Sequence, residues 1–155
     1  MRNFVPALAF VTTSIVITFG LGSANAQQQA LDPRIDVKGV TRKLLAEEVI
    51  AGYLTELNGK YKMTVAEFTI APGGYFGPHH HAGPGFRCVL AGEVTNIEPD
   101  KTTIFKSGEC FWEAGDKTHT PRNNGDTPVR GLVIELLPAS FTGNSLLPVP
   151  DHEHK

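Results

Sequence analysis

The chain has 155 residues, 41% of them hydrophobic and 19% charged, with a formal net charge of −2. That length suits one ordinary domain with enough chain for a real core. Its Lys and Arg residues are scattered rather than gathered into a stripe, which argues against nucleic acid and anionic membrane as partners.

Arg2 precedes an apolar stretch from Phe4 to Leu21, and Ala24-Asn25-Ala26 supplies a small-x-small cleavage pattern before Gln27-Gln28-Gln29. Thr12, Thr13, Ser14 and Thr18 dilute the apolar run, and no basic stop-transfer cluster follows it. Residues 1–26 therefore read as a signal peptide cut after Ala26, not as an anchor. The mature protein is expected in a bacterial periplasm or secreted, with no membrane contact after cleavage. The first cysteine is Cys88, so none stands at the cleavage point to accept a lipid. Of the 14 basic residues only Arg2 is lost, leaving 13 against 16 acidic and a net charge of about −3.

A polar lead covers residues 27–36. The one helical suspicion is Leu44 to Ile50, where Leu44, Leu45 and Val49 could share a face. Gly52 to Leu57 and Tyr61 to Ile70 read as strands flanking Asn58-Gly59, a dipeptide suited to the positive φ angles of a tight hairpin. Further strands are expected at Phe86 to Ile97, Thr102 to Phe105, Glu109 to Glu113 and Val129 to Leu137. Turn signals fall at Glu98-Pro99-Asp100, Ser107-Gly108 and Asn123-Asn124-Gly125-Asp126. Many short strands divided by Gly and Pro indicate an all-β sandwich or barrel, here placed at residues 37–140. Residues 141–155 read as a C-terminal tail in which His152 and His154 belong to a frayed polar end. Two cysteines, Cys88 and Cys110, lie in strands. An oxidising compartment permits a disulfide between them, while buried strand cysteines also serve as small hydrophobes.

His79-His80-His81 is the chemically distinctive run. Side chains two apart on a strand share a face, so His79 and His81 can aim two imidazoles at one point while His80 turns away. Two such imidazoles make half of a transition-metal site.

The surrounding pattern resembles the cupin superfamily. Gly73, five residues, His79-His80-His81, three residues, Gly85, six residues and Gly92 follow the spacing of the first cupin motif. Gly85 stands where that motif has Glu. Gly108, Ala114-Gly115, His119 and Asn123 resemble the second motif, with its Pro absent and the turn glycine one place early. The two motifs and their short connector cover roughly Val37 to Leu137, as in small bacterial cupins. The resemblance implies a small antiparallel β-barrel of the jelly-roll, or double-stranded β-helix, type. It also implies that His79, His81 and His119 are metal ligands, and cupins commonly pair into homodimers through edge strands.

Three neutral imidazoles without the carboxylate leave coordination positions open and relatively favour Zn²⁺, Fe²⁺, Ni²⁺ or Cu²⁺ over harder ions such as Mn²⁺, with the metal's identity left open. Glu113 lies near the expected mouth and could serve as a ligand, as a partner to a ligand imidazole, or as a catalytic proton carrier. Glu109 shares its parity but should sit farther from the site. Arg87 shares the parity of His79 and His81 and so could point into the barrel, or the Gly83-Pro84-Gly85 turn could reset that parity and leave it facing solvent. Inside the barrel and with few acidic neighbours, it would bind a substrate carboxylate. Gly85 should also enlarge the pocket by removing a side chain. Tyr75, Phe76, Phe86, Phe111 and Trp112 read as core or pocket wall. The function expected is a metal-dependent enzyme of dioxygenase, isomerase or lyase type acting on a small polar or aromatic molecule. Two alternatives stand beside it: a non-catalytic periplasmic metal- or ligand-binding protein, and a metal-free barrel serving only for dimerisation.

Overall fold

Alternating burial sets the inside of the barrel. On β2 (Tyr61–Phe76), Lys62, Thr64, Ala66, Phe68 and Ile70 are buried at every second place. On β9 (Val129–Pro138) the same holds for Val129, Gly131, Val133, Glu135 and Leu137, and on β4 (Gly85–Ala91) for Gly85, Arg87 and Val89. Period-two burial of this kind is what a strand with one face on a core requires. These residues belong to a computed structural model that describes residues 30–149. The predicted signal peptide, His152 and His154 lie outside the described residues.

The remaining strands are β1 (Val37–Val49), β3 (His79–His81), β5 (Glu93–Ile97), β6 (Thr102–Lys106), β7 (Cys110–Glu113), β8 (Thr120–Arg122) and β10 (Leu146–Pro148). The main antiparallel sheet runs β6-β5-β8-β2-β9-β4-β7, with β1 added alongside β2. A second, two-stranded sheet joins β10 to β3. The sheet curls into a nearly closed barrel, and no helix occurs among the described residues. Its core is Ile35, Ala66, Phe68, Ile70, Phe76, Val89, Val94, Val129, Val133 and Leu146. Burying each large aliphatic or aromatic side chain contributes roughly 1.5–3 kcal/mol.

The all-β barrel matches the sequence expectation, and four local expectations are corrected. Leu44 to Ile50 is not helical: all but Ile50 lies in β1, and a bulge between Leu44 and Ala46 breaks the alternation. That slip leaves Leu44 and Leu45 both half-buried, which imitates a helical face. Gly52 to Leu57 forms turns instead of a strand, with Tyr53 99% and Leu54 56% exposed and no partner strand to pay for their ordering. The hairpin closes around it through Ile50 N–H to the Tyr61 carbonyl (2.8 Å) and Gly59 N–H to the Ile50 carbonyl (2.9 Å). Phe86 to Ile97 is two strands, because Gly92 adopts φ +74° and turns the chain from the neighbours of β4 to those of β5. Finally, the expected tail contributes β10 and the buried residues Ser145 and Leu146.

Cys88 and Cys110 face each other across β4 and β7 and are joined by a disulfide. The bond ties the edge strand that ends at Glu113 to the barrel wall. Asn123 closes the turn after β8: its amide donates to the Ile70 carbonyl at 2.9 Å and the Thr127 carbonyl at 2.8 Å, and its oxygen accepts from Gly125 N–H at 3.0 Å.

Candidate metal centre

Strand β3 places His79 and His81 on its buried face and leaves His80 half-buried, paired with Leu147 of β10. His119 reaches the same place from the start of β8. It forms an antiparallel bridge with His79 through two backbone hydrogen bonds of 3.1 and 2.9 Å. One nitrogen from each of the three rings lies within 4.8 Å of the others. The Nε2 atoms of His81 and His119 are 3.1 Å apart. The local strand parity and the bridge together bring the three rings to one point.

What lies behind each ring decides which nitrogen is offered. His79 Nδ1 is 2.8 Å from the Gly77 carbonyl and donates to it, which leaves Nε2 as its lone pair. His119 Nδ1 donates to Asn96 Oδ1 at 2.9 Å. His81 Nδ1 lies 2.9 Å from Glu135 Oε1, in a bent contact rather than a linear hydrogen bond. Acceptors behind ligating imidazoles of this kind fix the tautomer and orient the ring. Burial, followed by the neighbouring imidazoles, pushes the His79 ring well below its usual pKa. Burial likewise lowers His81 to about 4, so both rings are neutral at pH 7.

Two carboxylates and two guanidinium groups surround the rings. Glu113 places Oε1 2.8 Å from His119 Nδ1, and Oε2 3.3 Å from His81 Nε2 and 2.8 Å from Arg87 Nε. Neither oxygen has a directed hydrogen bond although both are buried. Burial pushes Glu113 up, but His119, Arg87 and His81 together outweigh it and hold the carboxyl below its ordinary range. Arg87 does point into the barrel, with 3% exposure. The condition of few acidic neighbours is not met: beside Glu113, its Nη2 is 2.9 Å from Glu135 Oε1. Glu109 is exposed and accepts from Lys106 N–H at 2.6 Å, away from the rings.

Gly85 does not enlarge the pocket. An added Cβ would stand 2.0 Å from the Ile134 carbonyl oxygen and 2.8 Å from Arg87 Nη1, so the β9 backbone and the guanidinium fill that space. Sequence reasoning missed Glu135, Arg42, Ser145 and Asn96. Glu135 Oε2 accepts from Arg42 Nη2 at 3.0 Å and from Ser145 Oγ. A signal for Glu135 existed: it has the inward parity of Val133 and Leu137, so a charged residue sits at a core position of an apolar run.

Solved structures share this architecture. The polyketide cyclase RemF from Streptomyces resistomycificus is 20% identical, over 83% of this chain and 83% of that one, with a TM-score of 0.58. A cupin-2 domain protein from Rhodospirillum rubrum is 16% identical over 81% and 82%, with a TM-score of 0.54. A Thermotoga maritima protein described as a predicted oxalate decarboxylase is 24% identical over 74% and 96%, with a TM-score of 0.53. At these identities the likeness is one of fold. Among curated proteins, none matches the sequence. Residues 66–135 match the cupin domain family.

Two cavities meet at the histidines of this barrel. An inner chamber of about 40 Å³ has almost wholly apolar walls, including Phe68, Ile70, Phe76, Val94, Phe111 and Val133. A second cavity of about 120 Å³ lies at the mouth, between Trp112, Lys101, Lys117 and Glu98. His81, His119 and Glu113 line both. Phe76 and Phe111 are thus wall of the inner chamber and Trp112 wall of the mouth cavity, as expected, whereas Phe86, 48% exposed, meets Trp112 edge-on at the outer surface. The donor set fits a divalent transition ion: three imidazoles with acceptors behind them, and a half-buried carboxylate whose oxygens lack directed partners.

Proposed function

We propose that this cupin domain is a metal-dependent enzyme on a small molecule. In this reading His79, His81 and His119 hold a divalent transition ion and Glu113 carries the proton. The observation that supports it best is Glu113, whose two buried oxygens stand beside the imidazole cluster without a directed hydrogen bond. When bound, the ion supplies Lewis acidity toward a substrate oxygen, or activation of water or dioxygen at its open positions. Arg87 keeps the Glu113 carboxylate ionised, and Oε2 can then accept a proton from a group seated in the mouth cavity. The apolar chamber behind the rings keeps bulk water away, which strengthens charge interactions at the site. Arg2, the apolar run and Ala24-Asn25-Ala26 support export to the periplasm or beyond, as does the Cys88–Cys110 disulfide.

A second reading, capture of a metal or small ligand without turnover, is favoured by one observation. The inner chamber holds little more than one or two waters, and Arg87 is already committed to two carboxylates. Elemental analysis of untagged protein should give near one transition metal per chain, and His79→Ala with His119→Ala should abolish it. Persistence of bound metal in that double variant would sink the ligand assignment. Turnover is then sought with small phenols, thiols and keto acids, oxygen uptake being measured first. No consumption of any of them favours the capture reading.

A further inference from the structure

Glu135 has no exposed surface and is the one buried acid among the described residues. Removing a carboxylate from water is costly unless several donors replace the lost hydration, so its placement needs a reason. The strand register supplies one. Gly85 of β4 lies opposite Glu113 on β7 and opposite Glu135 on β9. The position where the cupin motif has a carboxylate is therefore flanked at the same level by two. A side chain cannot return to position 85, because its Cβ would meet the Ile134 carbonyl at 2.0 Å.

Glu135 divides its two oxygens between support and site. Oε2 takes Arg42 Nη2 at 3.0 Å and Ser145 Oγ, which fix the carboxylate from the β1 and β10 side. Oε1 faces His81 Nδ1 and Arg87 Nη2, each at 2.9 Å. Through Arg87 it also bears on Glu113, whose Oε2 is 2.8 Å from Arg87 Nε. A carboxylate behind an imidazole holds the proton on the near nitrogen and makes the far nitrogen a better donor to a metal.

We propose that Glu135 is a positioning residue that takes over the charge missing at Gly85. It holds His81 as the Nδ1–H tautomer, so that Nε2 faces the ion. This rests on the metal-site reading for its effect on affinity but not for its effect on the tautomer.

The test uses the chain with and without Zn²⁺. In metal-free wild type, ¹⁵N-imidazole NMR should show the His81 proton on Nδ1, and a proton on Nε2 would overturn the proposal without any variant. Arg42→Met combined with Glu135→Met removes one charge of each sign, the kind of exchange a buried pair tolerates best. Arg42→Met alone is the control, since it leaves Glu135 facing His81. The double variant should shift His81 toward Nε2–H and weaken Zn²⁺, read by competition with a chromogenic chelator, roughly 10–100-fold. The control should keep the wild-type tautomer. A folded double variant with an unchanged tautomer overturns the proposal whatever its affinity. If wild type binds no Zn²⁺, the metal reading fails, and the tautomer still decides the role of Glu135.

Discussion

Arg87 Nε stands 2.8 Å from Glu113 Oε2, so the cation that strand parity turns into the barrel is committed to the carboxylate beside the histidines. Each fixes the other in a buried setting where the loss of one partner leaves the other uncompensated. Glu113→Gln keeps the shape but removes the charge. It should lower stability by about 1–3 kcal/mol in urea unfolding, because Arg87 keeps Glu135 as a second partner. Metal content should stay near one per chain. Turnover on any substrate found should fall by roughly 10²–10⁴, the usual size of a proton-transfer contribution. A variant that keeps its turnover would remove Glu113 from the chemistry.

The gathering of the three histidines is legible in the sequence because it depends on local properties. His79 and His81 share a face by strand parity, and His119 follows from motif order. Arg87's orientation is left open by the sequence, because the Gly83-Pro84-Gly85 turn between it and the histidines could reset the parity. Its partners are not legible either, because they come from β7 and β9, and register between strands is set by tertiary pairing. Glu135 shows in the sequence only as a charge at a core parity, and its four partners, which lie on β1, β3, β4 and the segment before β10, do not show at all. The helical suspicion at Leu44 has a related cause: a bulge alters period two in a way no short window can distinguish from period 3.6.

Metal removal should be visible in stability. An ion that binds only the folded chain stabilises it by mass action, about 2.7 kcal/mol at a hundredfold excess over Kd. For a domain of this size that corresponds to a rise in Tm of about 10 °C. Differential scanning calorimetry with excess Zn²⁺ and then with a chelator should show the shift and its reversal. The His79→Ala, His119→Ala double variant should show neither. An equal Zn²⁺ shift in that variant would place the binding elsewhere.

The chelator-treated protein should weaken in acid, and the sign follows from the direction of each shift. His81 is lowered from 6.5 to about 4 by burial, so between those values the unfolded chain takes up a proton that the folded chain refuses. Its stabilising contribution is full above pH 6.5 and is lost as pH falls toward 4, by about 3 kcal/mol. His79, lowered further by burial and its imidazole neighbours, acts in the same direction. For Glu135, burial pushes upward, but His81, Arg87 and Arg42 outweigh it and hold the carboxyl at about 2, so its contribution is lost from about 4.5 downward. Urea midpoints measured from pH 8 to pH 4 should decline below 6.5 with little change in slope. A midpoint that is flat down to pH 4.5 would mean that the rings are not buried as neutral groups.

The Cys88–Cys110 bond ties β7 to β4 three residues before Glu113, so it bears on both stability and site. The cysteines are 22 residues apart in sequence, and closing a loop of that size restricts the unfolded chain by about 3 kcal/mol in the chain-entropy account. Strand β7 has β4 as its neighbour and ends one side of the sheet, so little else holds it. Cys88→Ser with Cys110→Ser should therefore lower the urea midpoint. It should also raise amide hydrogen exchange along Cys110–Glu113 more than along β2 or β9. Zn²⁺ affinity should change less than stability does, because the three histidines sit on β3 and at the start of β8, away from the freed strand. Uniform exchange across the barrel in that variant would show that the bond stabilises the domain as a whole and has no special hold on the strand carrying Glu113.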